Sequence, residues 1–358
     1  MRDGENILII RLSAIGDIVF STALIAAINR SFPKCRISWL VEPANASLLR
    51  HPTIDEVILW PKAEWKQLWR QRSYRELWRR VMGFKRALAE RRFDRVLDLQ
   101  GLLKSGLLAW FTGARERIGL GSREGSRWLM TRVIDRGGDP ARIGSEYLHL
   151  AQELELDAGS FEMDLHLGSD DASFVDALII EQRLEQGFLV VAPFTTRPQK
   201  HWFESRWIAL ISELTASQGL PLLILGGPND REAAEALAQR ATGRVIALAG
   251  RTGLMQAAAL IGRAGLLVGV DTGLTHMGIA LSTPTVALFG ATCPYTDTTR
   301  ENARVIYHPF SCSPCRRSPS CEGAFYCMQA IGVAEVIAVA GELTARQGAA
   351  AQESSDVC

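Results

Sequence analysis

The sequence predicts two doubly wound α/β domains in tandem, Rossmann-like and facing a cleft. Short continuous apolar runs alternate with amphipathic helical segments, which is typical of parallel strands buried on both faces. The same rhythm occurs before and after the polar stretch 168–187, and 358 residues suffice for two cores. We therefore expect an N-terminal domain over 1–175, a second domain over 186–346, and a disordered tail over 347–358.

The first half opens with a predicted strand at 7–10, a tight turn and a helix at 18–29. Further strands are expected at 37–41, 56–59 and 95–99. The second half repeats the alternation, with strands at 188–192, 221–225, 245–248, 266–270 and 285–289 and helices at 204–217, 231–240 and 254–263. In such sheets ligands bind at the carboxyl ends of the strands, so the polar segments that follow strands are the candidate site.

The composition excludes several classes of protein. A net charge of +1 argues against a broadly basic nucleic-acid coat. The apolar run 7–10 ends at Arg11, too soon for a signal peptide, and no later run reaches the length that spans a bilayer. Seven cysteines, an odd number, favour thiols or metal ligands over a disulfide framework. We therefore expect a cytoplasmic protein.

The segment from Lys62 to Arg95 is strongly cationic, with 12 Lys and Arg against four acids. Trp65, Trp69 and Trp78 are interleaved at roughly helical spacing. An amphipathic helix pair with its Trp face on a core fits this pattern, and so does a surface that meets anionic lipid headgroups or an anionic acceptor. Single-stranded nucleic-acid binding uses the same residue types, but the charge is confined to one segment, so we expect no nucleic acid partner.

A tight turn after the predicted strand 266–270 indicates an anion site. The backbone N–H groups of Thr272, Gly273 and Leu274 lack partners at such a helix N-terminus. Asp271 can anchor the turn, and Gly273 lets a ligand approach the backbone. His276 can add a donor to a phosphate. An ordinary strand–helix turn is the alternative interpretation.

Two other loops in the second half carry candidate binding groups. Thr195, Thr196 and Lys200 follow the strand 188–192, and two hydroxyls with a lysine can bind a diphosphate and neutralise it as it leaves. Asp230, in a Gly-Gly-Pro-Asn-Asp turn, can accept hydrogen bonds from ribose hydroxyls. Exposed polar turns of no function have the same composition, and that interpretation stays open.

The first strand–helix turn contains Gly16 and Asp17 but neither a dinucleotide fingerprint nor a Walker A loop. A carboxylate just inside a helix N-terminus is either a structural residue stabilised by the helix dipole or, if it faces a ligand, a general base. Glu42 closes the second strand where a Rossmann fold places its ribose-binding acid. A nicotinamide-dependent oxidoreductase therefore stays open as an alternative, as does a non-enzymatic lipid-binding module.

Four segments together resemble the heptosyltransferases of lipopolysaccharide inner-core assembly, glycosyltransferase family 9. They are RLSAIGD at 11–17, DLQGLLKS at 98–105, TTRPQKHW at 195–202 and VDTGLTH at 270–276. They occur in order and span most of the chain. The forms at 98–105 and 195–202 are more similar to the heptosyltransferase I branch than to the second branch.

The resemblance implies a GT-B fold, with an acceptor domain followed by a domain for ADP-L-glycero-D-manno-heptose. The acceptor would be a 3-deoxy-manno-octulosonic acid (Kdo) residue on lipid A, reached from the cytoplasmic face of the inner membrane. Another inner-core acceptor or nucleotide sugar within the same family is the alternative. The family inverts configuration and requires no catalytic metal or other cofactor.

The same resemblance implies roles for individual residues. Asp17 becomes the general base, and Lys200 contacts the diphosphate that leaves. The nucleotide sugar would be held by Thr195, Thr196, Asp230, Asp271, Thr272, Gly273, Leu274 and His276. Candidates for the acidic acceptor are Ser13, Gly16, Gln100, Lys104 and Arg123.

A cysteine cluster has no role implied by the resemblance. Cys312, Cys315, Cys321 and Cys327 form C-x2-C-x5-C-x5-C within one short loop, close enough in sequence to converge on one ion. A structural Zn²⁺, an iron–sulfur cluster and unligated thiols all fit this pattern.

Overall fold

A computed structural model of the chain describes residues 2–315 and 318–355. It divides into two compact units, the first reaching Asp139 and including Gly144–His166, the second comprising Pro140–Ile143 and the chain from Leu167 onward. Each unit contains a six-stranded sheet in which every pairing is parallel. The predicted fold class, two parallel-sheet α/β domains, is thus confirmed.

The sheet of the first unit has the strand order β3-β2-β1-β4-β5-β6. Its strands are β1 (Asn6–Ile10), β2 (Arg36–Val41), β3 (Glu56–Leu59), β4 (Arg95–Asp98), β5 (Glu116–Leu120) and β6 (Arg132–Ile134). Its helices are α1 (Ile15–Ser21), α2 (Ala23–Ser31), α3 (Lys62–Arg70), α4 (Tyr74–Glu90), α5 (Leu103–Phe111) and α6 (Ser145–Glu153). The order reverses between β1 and β4, which makes that pair the topological switch point.

The second unit repeats the arrangement with the order β12-β11-β10-β7-β8-β9. Its strands are β7 (Leu189–Ala192), β8 (Leu222–Ile224), β9 (Val245–Ala247), β10 (Leu266–Val270), β11 (Thr285–Phe289) and β12 (Ala303–Tyr307). Its helices are α7 (Ser169–Glu181), α8 (Glu204–Gln218), α9 (Arg231–Arg240), α10 (Leu254–Gly262), α11 (Gly273–Ala280), α12 (Tyr326–Gln329) and α13 (Val333–Ser355). Here the switch point lies between β7 and β10.

The central strands form the two cores. All side chains of 7–10 in β1 are buried, as are those of Leu266–Val270 in β10. Helix α7 belongs to the second unit because Val175 and Leu178 pack in one core cluster with Leu260 of α10. The boundary between the units therefore precedes α7, whereas the sequence places the first seven residues of that helix in the first domain.

Three strands, β5, β6 and β12, were not predicted from the sequence. Each carries an arginine within the strand, at Arg117, Arg132 and Arg304, so none forms a continuous apolar run. Two of them, β6 and β12, are edge strands, where charged side chains are common. The single helix expected at 18–29 is two helices that meet at Thr22.

The segment 347–358, predicted as a disordered tail, overlaps the last helix of the structure as far as residue 355. Helix α13 continues through 347–355, and residues 356–358 lie outside the described residues. Its first turns are anchored by the buried Val336, Ala340 and Leu343. None of the described helices is long and apolar enough to cross a bilayer.

Candidate functional site

In the second unit, polar side chains from two loops and one helix surround a carboxylate that is only 11% exposed. Asp271 directly follows β10, and its Oδ2 lies 2.6 Å from the Lys200 Nζ. The Thr292 hydroxyl donates to the same oxygen, and the His276 Nε2 lies 3.2 Å from Oδ1. These partners come from the loops after β7 and β11 and from α11. Because β7, β10 and β11 are neighbours in the sheet, their carboxyl ends bring the loops together.

The Asp271 carboxylate is held in its charged form. Burial by itself raises the pKa of Asp271, but the hydrogen bond from His276 and the charge of Lys200 outweigh it, and the pKa falls below its ordinary value. A carboxylate so held cannot exchange protons near neutral pH. Asp271 is therefore an anchor for the surrounding loops, and the two remaining N–H donors of the Lys200 ammonium can serve an anion.

His276 is committed to the protein through both ring nitrogens. Nδ1 lies 2.7 Å from the Tyr295 hydroxyl, while Nε2 contacts Asp271. Tyr295 and His276 are both buried. The structure thus uses this ring to orient Asp271, whereas the sequence predicts a donor to a bound phosphate.

The turn after β10 presents a helix N-terminus, as expected. Helix α11 begins at Gly273, and the Thr272 side chain does not cap it. The Thr275 hydroxyl donates to the Val270 carbonyl at 2.6 Å, which ties the first helical turn to the end of β10. The N–H groups of this first turn have no helical acceptors and can bind an anion. Leu274 is the second residue of this turn.

The loop after β7 is pinned beside that turn. The Thr195 hydroxyl donates to the Asp271 carbonyl at 3.4 Å, and the His201 Nε2 lies 2.8 Å from the Thr195 carbonyl. Thr196 is exposed in the same loop. Asp230 differs from the expectation, because its Oδ2 accepts from the Gly227 N–H at 2.8 Å and so closes its own turn.

A cavity of about 300 Å³ lies on another side of the loop after β7. Phe194, Trp202 and Trp207 line it, together with Glu204 of α8. Neither Asp271 nor Lys200 reaches it. The cavity is therefore separate from the polar cluster.

In the first unit, Asp17 lies in the first turn of α1 and forms an ion pair with Arg11. The guanidinium is buried and donates through Nη1 to the Leu99 carbonyl at 2.7 Å, whereas the Asp17 side chain is 38% exposed. The Ala14 N–H points to the same carboxylate at 3.4 Å. The buried Arg11 thus orients the Asp17 carboxylate, which stays accessible to solvent. A general base needs both properties.

Gln100 holds the loop that carries Asp17. Its Oε1 accepts from the N–H groups of Leu12 at 3.1 Å and Ser13 at 3.3 Å. The sequence predicts Gln100 as a contact of the acceptor, but the structure commits its carbonyl to the backbone. Ser13 and Gly16, two other predicted acceptor contacts, are half-buried in this same turn.

Asp98, at the end of β4, fixes Gln100 in turn. Its carboxylate accepts from the N–H groups of Gln100 and Gly101 at 3.1 and 3.2 Å, and from the Ser105 hydroxyl at 3.0 Å. Burial raises the pKa of Asp98 to about 6, although these hydrogen bonds act in the opposite direction. Gly101 allows the tight turn, since a Cβ there would lie 2.6 Å from the Leu120 carbonyl.

The predicted acceptor cations lie at the edge of this turn. The Lys104 Nζ lies 5.7 Å from the Trp60 ring centre, and burial and the nearby Lys62 lower the pKa of Lys104. Arg123 is exposed, and its backbone N–H donates to the Gly101 carbonyl at 2.8 Å. Lys62 pairs with Glu42 at 2.8 Å. That pairing occupies the carboxylate on which the oxidoreductase alternative rests.

Sequence reasoning missed Arg11, Asp98, Thr292 and Tyr295 as members of these networks. Arg11 and Asp98 belong to the segments 11–17 and 98–105. Arg11 pairs with the nearby Asp17 but also donates to the distant Leu99 carbonyl, whereas the partners of Asp98 are all within its own segment. Thr292 follows β11 by three residues. Because ligands bind at the carboxyl ends of parallel strands, the position of Thr292 just after β11 was a sufficient signal to predict it.

The described cysteines of the 312–327 loop differ in their surroundings, since Cys327 is buried and Cys312, Cys315 and Cys321 are half-buried. The Cys315 Sγ faces the Ala291 carbonyl at 3.8 Å, and Cys327 is buried beside Gly290. Burial raises the pKa of both thiols. Within residues 2–315 and 318–355, no three His, Cys, Asp or Glu side chains are placed to hold one metal ion.

Comparison with known proteins places this geometry in a family. The lipopolysaccharide heptosyltransferase 1 of Pseudomonas aeruginosa is 30% identical over 317 residues, which cover 87% of this chain and 86% of the relative. A family 9 glycosyl transferase from Veillonella parvula superposes with a TM-score of 0.80 at 19% identity, covering 96% of this chain and 98% of the other.

The heptosyltransferase WaaC of E. coli, solved with ADP, superposes with a TM-score of 0.68 at 25% identity. That match covers 85% of this chain and 93% of the other. The model of glycosyltransferase family 9 (heptosyltransferase) matches residues 81–325. These residues include β4 to β12 and the whole cluster around Asp271. The chain therefore belongs to glycosyltransferase family 9, the heptosyltransferase family.

Proposed function

We propose that this protein transfers L-glycero-D-manno-heptose from ADP-heptose to a Kdo residue of the lipopolysaccharide inner core. The observation that carries the proposal is the cluster at the switch point of the second unit, where Lys200, Asp271 and the start of α11 form one anion site. A nucleotide diphosphate sugar is the donor that such a site suits. The relatives named for heptose transfer support heptose as the sugar.

The donor diphosphate would lie against the first turn of α11. The N–H groups of Gly273 and Leu274 and the free donors of Lys200 would bind its oxygens, with Thr195 and Thr196 at the other side of the loop. Negative charge grows on the ADP oxygen as the glycosidic bond breaks. Fixed donors stabilise that charge most in the transition state, so a metal ion is not needed.

Asp17 would be the general base. A hydroxyl of the acceptor attacks the anomeric carbon from the face opposite ADP, its proton passes to the Asp17 carboxylate, and ADP leaves as the C–O bond to phosphate breaks. One bond forms and one breaks at the same carbon, so the configuration inverts. General-base catalysis of this kind contributes about 10²–10⁴-fold.

The acceptor side carries positive charge suited to a sugar acid. Lys104 and Arg123 can bind the carboxylate of Kdo, and Lys62 adds a third cation when it releases Glu42. An acceptor anchored in lipid A also requires the protein to work at the cytoplasmic face of the inner membrane. A different acidic acceptor of the inner core is the nearest alternative.

The first test is release of ADP from ADP-heptose with Kdo-containing lipid A as acceptor. We expect release that depends on the acceptor and survives EDTA, because Lys200 and α11 supply the charge that a metal would otherwise supply. Coupled detection of ADP measures it. If ADP binds in a calorimeter but no transfer occurs with this pair, the assignment of donor or acceptor is wrong.

Replacement of Asp17 by Asn removes the base and keeps the shape of the turn, because the amide oxygen can still accept from Arg11. We expect ADP binding within about twofold of the wild type and turnover lower by about 10²–10⁴-fold. Asp157→Asn, a change of an exposed carboxylate in the same unit, is the matched control. Near-normal turnover of Asp17→Asn would refute the base assignment.

Gln100 and Lys104 are expected to affect different kinetic constants. Gln100→Leu frees the loop before Asp17, so we expect kcat to fall about tenfold or more with little change in the acceptor KM, since small displacements of a catalytic group are costly. Gln100→Glu, which keeps an acceptor oxygen, should restore most of that loss. Lys104→Met should instead raise the acceptor KM. If Gln100→Leu raises KM and leaves kcat unchanged, Gln100 binds the acceptor directly.

For Cys312, Cys315, Cys321 and Cys327, a structural Zn²⁺ site, an iron–sulfur cluster and unligated thiols all stay predictions, and none of them has a part in the proposed catalysis. Metal analysis of untagged protein prepared without oxygen tests them. About one equivalent of Zn or a full complement of cluster iron, lost in Cys312→Ser/Cys315→Ser, would support the site. Metal well below one equivalent in the wild type would mean that these cysteines are ordinary thiols.

A further inference from the structure

The first unit exposes a run of large apolar side chains on α3, α4, α5 and the turn Ser126–Leu129. Trp69, Trp78 and Trp128 are 63%, 67% and 87% exposed. We call this surface the aromatic face; its members are Trp69, Tyr74, Trp78, Leu103, Leu107, Trp110 and Trp128. Single exposed apolar residues are ordinary, but a contiguous set of this size marks an interaction surface.

The members of the aromatic face are connected across the helices. The Trp69 and Tyr74 rings contact each other at 5.3 Å between centres, which joins α3 to α4. Tyr74 and Trp78 are four residues apart and so lie on one side of α4. Farther along α4, the Lys85 Nζ lies 4.7 Å from the Trp110 ring of α5.

Helix α5 continues the surface. Leu103, Leu107 and Trp110 follow the spacing i, i+4, i+7 and are all exposed, so they form one stripe. The flank of α5 next to this stripe, at Gly106, packs against the turn that carries Trp128, since a Cβ on Gly106 would lie only 3.0 Å from the Ser126 Cβ. The four elements therefore present one continuous surface.

This surface is not the core side of the helices. Trp65 and Phe84 pack in the core cluster with the fully buried Leu88. The core thus uses one side of the α3–α4 pair and leaves Trp69 and Trp78 on another. The structure thus bears out the core packing for Trp65, while Trp69 and Trp78 stay in solvent, where the second interpretation of the segment applies as a prediction.

Unpaired cations surround the aromatic face. Glu76 pairs with Arg79 and Arg80, and Glu64 also pairs with Arg80. Within the described part of the chain, no ion pair is made by the neighbouring exposed cations Lys66, Arg70, Arg72, Arg75, Arg86 and Arg127. The exposed aromatic side chains therefore have exposed positive side chains close to them along the chain.

We propose that the aromatic face docks on an anionic lipid bilayer. Indole rings favour the level of the headgroups, where the ring is in apolar surroundings and its N–H can reach water, and Lys and Arg bind anionic headgroups. A second copy of this chain would set two positive surfaces against each other, which charge repulsion opposes. The inference rests on the proposed function at one point: a lipid-anchored acceptor requires the protein to dock on a bilayer.

The place of the surface in the first unit fits that acceptor. Leu103 belongs to the aromatic face, and the next residue, Lys104, is a proposed contact of the acid sugar. Gln100, three residues before Leu103, holds the loop of Asp17. A lipid whose acyl chains stay in a bilayer under α5 would thus present its sugar near the proposed base.

Co-sedimentation with vesicles tests the docking without donor or acceptor. The probes are vesicles of phosphatidylcholine alone and of phosphatidylcholine with phosphatidylglycerol. We expect binding to the anionic vesicles only, weakened by salt, and at least about tenfold weaker for Trp78→Ser/Trp110→Ser/Trp128→Ser because apolar insertion is lost. Each cation removed in Arg70→Ser/Arg72→Ser/Arg75→Ser should weaken binding about fivefold.

The matched control is Ile180→Ser/Tyr326→Ser, which removes exposed apolar residues from the second unit and should bind vesicles like the wild type. Equal melting temperatures of all variants show that folding is intact, as expected for side chains that lie mostly in solvent. The proposal is overturned if the wild type does not bind anionic vesicles, or if the tryptophan variant binds them with the same affinity as the wild type.

Two further outcomes would identify another occupant and also overturn the proposal. A wild-type dimer in lipid-free sedimentation that the tryptophan variant dissociates would assign the face to a second copy. A single-stranded oligonucleotide and polyphosphate are also added to the vesicle-bound protein at equal concentrations of charge. If only the oligonucleotide releases the protein, the aromatic face binds nucleic acid. Because no heptose is transferred in these assays, failure of the docking proposal and failure of the proposed function are distinguishable.

Discussion

The geometry of both candidate sites depends on the reversal of strand order in each parallel sheet. Crossovers between parallel strands have one hand. In each unit the chain adds strands first on one side of its first strand and then on the other. The loops that follow the two strands at this reversal therefore lead to opposite faces of the sheet and leave a crevice between them. In the second unit these loops follow β7 and β10 and carry Lys200 and Asp271. In the first unit they follow β1 and β4 and carry Asp17 and Gln100.

Each switch point is stabilised by one buried charged group with protein partners. In the second unit it is the Asp271 carboxylate, which accepts from Lys200, His276 and Thr292. In the first unit it is the Arg11 guanidinium, which pairs with Asp17 and donates to a backbone carbonyl. A buried charge without partners is strongly destabilising, so loops distant in sequence must adopt one mutual arrangement to provide those partners. The side chains of Asp17 and Lys200 are thereby held in fixed positions.

The helices around the first sheet divide their tryptophans between two environments. Trp65 packs toward the core through Phe84, while Trp69 and Trp78 lie in solvent. Fold stability does not require the second set, because Leu88 and its neighbours already complete the apolar layer. The second set is therefore the part of this unit that serves the proposed docking on a bilayer.

The sequence by itself determined the fold class, most strands, and the segments that form the two sites, because burial on both faces leaves continuous apolar runs and carboxyl ends collect polar residues. It did not determine which side chains pair. Gln100 and Ser13 are 87 residues apart, and Lys200 and Asp271 are 71 apart. Their contacts exist only because parallel pairing places β1 beside β4 and β7 beside β10. Gln100, whose partners Leu12 and Ser13 follow β1, is one such case. His276 and Glu42, also expected to meet a ligand, have protein partners as well, because packing of the loops brings Tyr295 to His276 and Lys62 to Glu42.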